Sequence, residues 1–172
     1  MKLNYNQSSR LLGFLFLLIG MLPLSASAQE NPLESQTIRF YNPQTFELVT
    51  ETNLREQFDD ISYDIADLGI DGIPEIVVGA SPNSDPNIII KRLDGSEIVR
   101  YLAYTQAFQG GIRVKVADIN NDGVAEIITG VRAGGGPHLR IFNTKNEIIG
   151  EWFVFEAEHS TGFDLAVGEL DD

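Results

Sequence analysis

The sequence predicts an all-β fold made of repeated four-stranded antiparallel sheets, and three observations carry that expectation. The chain superimposes on itself after a shift of 51 residues, each copy holds four short strand signals, and neither copy shows helical periodicity. The shift lays Asp67 to Gly79 on Asp118 to Gly130, matching Asp67 with Asp118, Asp71 with Asp122, Gly72 with Gly123, Glu75 with Glu126 and Gly79 with Gly130. Four strands in about 50 residues is the size of a β-propeller blade, whose sheet cannot bury both faces alone and must be stacked between neighbours. The expected fold is therefore a partial β-propeller of four-stranded antiparallel blades.

The elements follow in order. Residues 1–28 have the three parts of a secretory signal: Lys2 and Arg10 are the positive segment, Leu11 to Leu24 the apolar run, and Ala26-Ser27-Ala28 the small residues before cleavage. The apolar run is shorter than the roughly 20 residues a membrane span needs and is broken by Gly13, Gly20 and Pro23. Export with cleavage before Gln29 is expected, with a secreted, surface or periplasmic location and no stable membrane insertion. Residues 29–36 read as a linker. Residues 37–60 read as half a blade, because Ile38 to Tyr41 and Phe46 to Val49 resemble third and fourth strands.

Residues 61–111 and 112–161 read as two whole blades. The first strand of each alternates: Ile61, Tyr63 and Ile65 match Ile112, Val114 and Val116, with polar residues between them. The second strands, Ile76-Val77-Val78 and Ile127-Ile128-Thr129, are continuous runs suited to a sheet covered on both faces. Ile88 to Ile90 and Leu139 to Phe142 supply the third strands, and the stretches from Glu97 and from Glu147 supply the fourth. Phe163, Leu165 and Val167 repeat the first strand again, so residues 162–172 read as the opening strand of a further blade. About 2.8 periods follow Ala28, fewer than the four or more of a closed ring, so the chain is expected to be a C-terminally truncated piece of one.

Charge and composition exclude several functions. The chain carries 25 acidic and 12 basic side chains, a formal −13, and loss of Lys2 and Arg10 takes this to −15. Nucleic acid is not an expected partner, since neutralising phosphates requires clustered Lys and Arg. The absence of cysteine removes disulfides, thiolate metal sites and thiol catalysis, and an exported domain without disulfides needs some other staple.

The acidic turns supply a candidate. Asp118, Asn120, Asp122 and Glu126 stand at positions one, three, five and nine of the loop, with Gly123 at six and the carbonyl of Val124 at seven. Carboxylates so close repel one another unless a cation lies among them. An all-oxygen set of this kind suits Ca2+, which accepts six to eight oxygen ligands in loose geometry. An EF-hand starts the same way, but it requires Glu at position twelve, where this chain has Thr129, and a helix where this chain has strand-like residues. An ion-free Asp/Asn turn is the plain alternative. In the first copy Asp67, Asp71, Glu75 and the carbonyl of Ile73 remain, while Gly69 stands where the third ligand is needed, so weaker calcium binding is expected. The last copy retains Glu169 and Asp171.

The strand, the Asp-x-Asn-x-Asp-Gly-x-x-Glu loop, the following Ile-Ile-x-Gly and the 51-residue spacing resemble FG-GAP repeats, the calcium-binding blades of integrin α-subunits and of many secreted bacterial proteins. Gly79-Ala80-Ser81-Pro82 is similar to the Gly-Ala-Pro part of that signature, and Gly111 and Gly162 match its Phe-Gly glycine, with Gly110 and Thr161 where the phenylalanine stands. Ala133 to His138, followed by Leu139 to Phe142, looks like the bacterial branch. The resemblance covers residues 37–172. It implies a propeller of about seven blades, with calcium between the first and second strands of a blade. Asp118, Asn120, Asp122, Val124 and Glu126 match the metal positions, as do Asp67, Asp71, Ile73 and Glu75; Glu75 and Glu126 replace the family's usual Asp. The implied function is cell adhesion or a rigid surface for an extracellular protein or glycan. The resemblance also allows part of a secreted enzyme acting on polysaccharides, and a small solenoid or a ring closed by several copies of the chain is a third reading.

Other features carry less. Gly134 to Gly136 lack the Lys-Ser/Thr of a phosphate loop and read as a turn. His138 beside it is expected to be structural or exposed, with membership of a polar surface site as the alternative. Trp152, Phe153 and Phe155 are expected to pack between blades or at an edge, with stacking on sugar rings as the alternative. No nucleophile elbow or other catalytic constellation is visible.

Overall fold

The computed structural model describes residues 16–17, 37–42, 44–53, 61–69 and 71–168. They form eleven strands and no helix, so none of the described residues lies in a helix long and apolar enough to cross a membrane. The strands are β1 (Phe16–Leu17), β2 (Thr37–Tyr41), β3 (Leu48–Asn53), β4 (Ser62–Ala66), β5 (Glu75–Gly79) and β6 (Asn87–Lys91). They continue as β7 (Glu97–Leu102), β8 (Ile112–Ala117), β9 (Glu126–Val131), β10 (His138–Phe142) and β11 (Ile148–Phe153). Three sheets result, ordered β1-β2-β3, β4-β5-β6-β7 and β8-β9-β10-β11, with antiparallel neighbours throughout. Apart from the short β1, which pairs with β2, the remainder of the expected signal, linker and 54–60 lies outside the described residues.

The two four-stranded sheets repeat at a 51-residue spacing, and their irregular hydrogen bonds obey the same period. Asn83 N–H donates to the Gln109 carbonyl and Gly134 N–H to that of Ser160. Ala103 N–H donates to Pro86 and Val154 N–H to Pro137. Each sheet also carries a register shift where its third strand meets its fourth, at Ile90/Lys91 and at Ile141/Phe142. The same shift occurs at Phe40/Tyr41 between β2 and β3.

Stacking explains the hydrophobic patterns. Along β5 successive side chains alternate faces. Ile76 and Val78 pack with Ile38 and Phe40 of the first sheet, and Val77 packs with Ile112, Val114 and Ile127 of the third. β6 divides likewise, with Ile89 on one side and Ile88 and Ile90 on the other. A middle sheet buried on both faces accounts for the unbroken apolar runs. Each fully buried aliphatic side chain there contributes about 1.5–3 kcal/mol.

Close approach of the sheets depends on one glycine per unit. A Cβ at Gly79 would lie 2.7 Å from the Ile112 carbonyl oxygen and 2.9 Å from Val114 Cγ1. At Gly130, 51 residues on, it would lie 2.8 Å from the Phe163 ring and 3.4 Å from Leu165. The segment holding Phe163 and Leu165 thus approaches the third sheet as β8 approaches the second. Residues 163–168 nevertheless carry no strand pairing, because a strand is defined by a ladder partner and none is present among the described residues.

The first strands of the two units lie side by side, and polar side chains join them. Ser62 Oγ accepts the Val114 N–H at 3.0 Å and Asp64 Oδ2 the Val116 N–H at 2.9 Å. Lys115 Nζ approaches Asp64 to 3.8 Å, and Arg113 pairs with Asp164 at 2.9 Å.

Candidate functional site

The two acidic loops join β4 to β5 and β8 to β9, and one hydrogen-bond scaffold shapes both. Asp67 Oδ1 accepts the Asp71 N–H at 3.3 Å and Oδ2 the Gly72 N–H at 2.7 Å. Asp118 Oδ1 accepts the Asp122 N–H at 3.1 Å and Oδ2 the Gly123 N–H at 2.7 Å. Asp71 and Asp122 each accept the N–H two residues on, at Ile73 and Val124. Glu75 and Glu126 reach back to the N–H of Leu68 and Ile119. Gly72 and Gly123 take φ of 82° and 90°, left-handed values that favour glycine.

The loops differ at position three. Asn120 Oδ1 accepts the Asp122 N–H at 2.9 Å, and its Nδ2 donates to Glu126 Oε1 at 2.9 Å. Glu126 is 3% exposed and so holds a carboxylate under cover through two donors. Gly69 offers no side chain; its own N–H donates to Asp67 Oδ1 at 3.1 Å.

Their donor chemistry fits a hard cation. All the side-chain ligands are oxygens, and a carboxylate oxygen that accepts one N–H keeps a further acceptor site. Asp122 Oδ2 accepts no hydrogen bond among the described residues. The side chains are not gathered around a point, however: among the described residues no three His, Cys, Asp or Glu converge as a metal-holding group. In this structure the carboxylates serve the backbone of their own loops. Sequence reasoning placed Asp118, Asn120, Asp122, Val124 and Glu126 in one turn, and Asp67, Asp71, Ile73 and Glu75 in the other; each set lies in one inter-strand loop of the structure, without its side chains converging on a common point. Sequence spacing did not reveal that Glu126 and Asn120 bond directly. Glu169 and Asp171 lie outside the described residues.

A second polar cluster surrounds His138. His138 Nε2 and Arg140 Nε both meet Glu151 Oε2, at 3.2 and 3.1 Å. The Arg140 guanidinium lies 5.1 Å from the Tyr104 ring centre and donates from Nη1 to the Ala103 carbonyl at 2.7 Å. Tyr104 Oη donates to the His138 carbonyl at 2.8 Å, and burial pushes the phenol up to about 12. His138 is held below the usual imidazole range, first by burial and then by Arg140, against the opposing pull of Glu151. It is therefore neutral at pH 7. Of the expected placements of the aromatics, between blades or at an edge, the structure shows the edge, with Trp152, Phe153 and Phe155 each more than half exposed. They stand on or just beyond β11, a sheet edge that no fifth strand covers among the described residues.

The geometry defines an all-β protein of stacked antiparallel four-stranded sheets with an acidic loop between the first two strands of each complete unit. No known family model, curated protein or solved structure matches the chain.

Proposed function

We propose that the chain is an exported calcium-binding repeat module of FG-GAP type, in which propeller blades present a rigid surface to an extracellular protein or glycan. The observation that carries this reading is the loop pair: two turns 51 residues apart share one scaffold of carboxylates folded over their own N–H groups. An ordinary hairpin turn has no need of acids at positions one, five and nine.

Asp118, Asn120, Asp122, Glu126 and the carbonyl of Val124 would hold the ion in one loop. Asp67, Asp71, Glu75 and the carbonyl of Ile73 would hold it in the other, with one ligand fewer. Bound calcium would neutralise the clustered carboxylates and tie the first strand to the second. Extracellular calcium sites have Kd of roughly 0.1–1 mM, so 1 mM calcium adds about 0.4–1.4 kcal/mol per site by mass action. Thermal melting with calcium or chelator tests this. A calcium-dependent rise in Tm that shrinks in Asp118→Ala is expected; an unchanged Tm in both proteins would overturn the proposal.

A further inference from the structure

A recess of about 210 Å3 opens where the tail of the first complete unit meets the third sheet. Tyr104 and Phe108 come from that tail; Val131, His138, Arg140 and Phe153 come from the next unit. Its size is decisive. It exceeds the ~150 Å3 of a cavity that holds benzene and falls below the ~300–1,000 Å3 of pockets for drug-sized ligands. One six-membered ring with its substituents can be seated there.

Its walls are aromatic and held in place. The Phe153 ring lies parallel to His138, 13° from coplanar at 4.7 Å, yet Phe153 is 63% exposed. Phe108 meets Tyr104 edge-on at 5.7 Å. Two glycines let these rings come close to the turn: a Cβ at Gly135 would lie 2.8 Å from the Phe108 ring, and one at Gly136 would lie 3.0 Å from the Phe153 ring. The triple-glycine turn thus shapes an aromatic-walled recess. Polar groups are few, as in other small-ligand sites. Thr105 lines the recess with a hydroxyl that makes no hydrogen bond among the described residues, and Arg140 supplies guanidinium donors.

We propose that this recess binds a single neutral pyranose unit of a glycan, with the Phe153 ring as stacking platform and Thr105 and Arg140 reading its hydroxyls. The apolar C–H face of such a ring matches an exposed aromatic face, and its rim of hydroxyls matches a few fixed donors and acceptors. Charge selects the neutral sugar over an acidic one. Arg140 is already paired with Glu151, His138 is uncharged at pH 7, and the whole chain is strongly acidic. The assignment rests on the proposed reading of the module as a binding surface and names the ligand class and the place.

The test is ligand-observed NMR on the full chain with a panel of neutral methyl pyranosides, the matching uronates and a proline-rich peptide. At least one neutral pyranoside is expected to bind, about tenfold more weakly in Phe153→Ala and a few-fold more weakly in Thr105→Val. Trp152→Ala, on the opposite face of β11, should leave binding unchanged, and circular dichroism should show the variants folded. Binding untouched by Phe153→Ala and Thr105→Val would overturn the site while leaving a glycan-binding module standing. Preference for uronates, capture of the peptide alone, or no binding at all would overturn the pyranose assignment. The calcium response is measured separately, so failure here is distinguishable from failure of the calcium reading.

Discussion

The turns Asp67 to Glu75 and Asp118 to Glu126 share a backbone scaffold, and among the side chains expected to face an ion they differ at position three, Gly69 against Asn120. Where Asn120 is present, Glu126 is locked under cover by two donors. Where Gly69 takes its place, Glu75 makes one such bond, to Leu68, and is only half-buried. The scaffold therefore comes from the aspartates at one and five and the glycine at six, and the third position decides how firmly the ninth is held.

The sharpest way to break this comparison is to remove the ninth side chain. Glu126→Ala removes a buried acceptor from the Ile119 N–H and from Asn120 Nδ2 and is expected to cost about 2 kcal/mol, against about 1 kcal/mol for Glu75→Ala, which loses one such bond. Urea denaturation of the two variants without calcium checks it; equal losses would dissolve the distinction. The next effect concerns the glycines behind the loops. Gly79→Ala drives a methyl group into a backbone carbonyl and should cost about 2 kcal/mol, whereas Gly130→Ala meets an aromatic ring that can turn aside and should cost about 1 kcal/mol. Thermal melts of both variants rank them.

A smaller effect sharpens the comparison from the other direction. A Cβ at Gly69 would find nothing nearer than Asp71 Cγ at 3.7 Å, an ordinary contact. Gly69→Asn is expected to raise the calcium-dependent stabilisation by up to about 1 kcal/mol, and Asn120→Gly to remove a similar amount. Paired melts with calcium and chelator read both. The smallest effect is on pH. His138 has a folded pKa below its ordinary value of 6.5, so the unfolded chain binds the proton more readily. Its contribution to stability is intact above pH 6.5 and is lost as pH falls through the folded pKa. His138→Gln should flatten that part of the stability curve, read as urea stability across pH.

Much of this architecture can be read from residue patterns because stacking imprints itself on local periodicity. Unbroken runs at Ile76 to Val78 and Ile88 to Ile90 follow from a sheet covered on both faces, and Asp, Gly and Glu at fixed offsets follow from the turns between strands. The aromatic recess could not be read in that way. Its walls come from Tyr104 and Phe108 on one side and His138, Arg140 and Phe153 on the other, residues 30 to 50 apart that meet only when units stack. A faint signal exists in the repeat: the pair Tyr104 and Phe108 recurs as Phe155 and His159, and both pairs bring their rings within 6 Å. The opening strand of the next copy likewise lacks ladder pairing in the structure, since periodicity identifies which face a strand buries but not its partner.

The side chains that join adjacent first strands carry one more consequence. Repetitive chains risk swapping a unit with a copy of itself on another molecule, since the copies are alike. Here equivalent positions alternate in sign: Asp64 faces Lys115, and Arg113 faces Asp164. A unit docked on its own duplicate would set Lys115 against Lys115 and Arg113 against Arg113, and like charges directly opposite are destabilising. The alternation acts as an address label, making each unit a better neighbour for the next than for its twin.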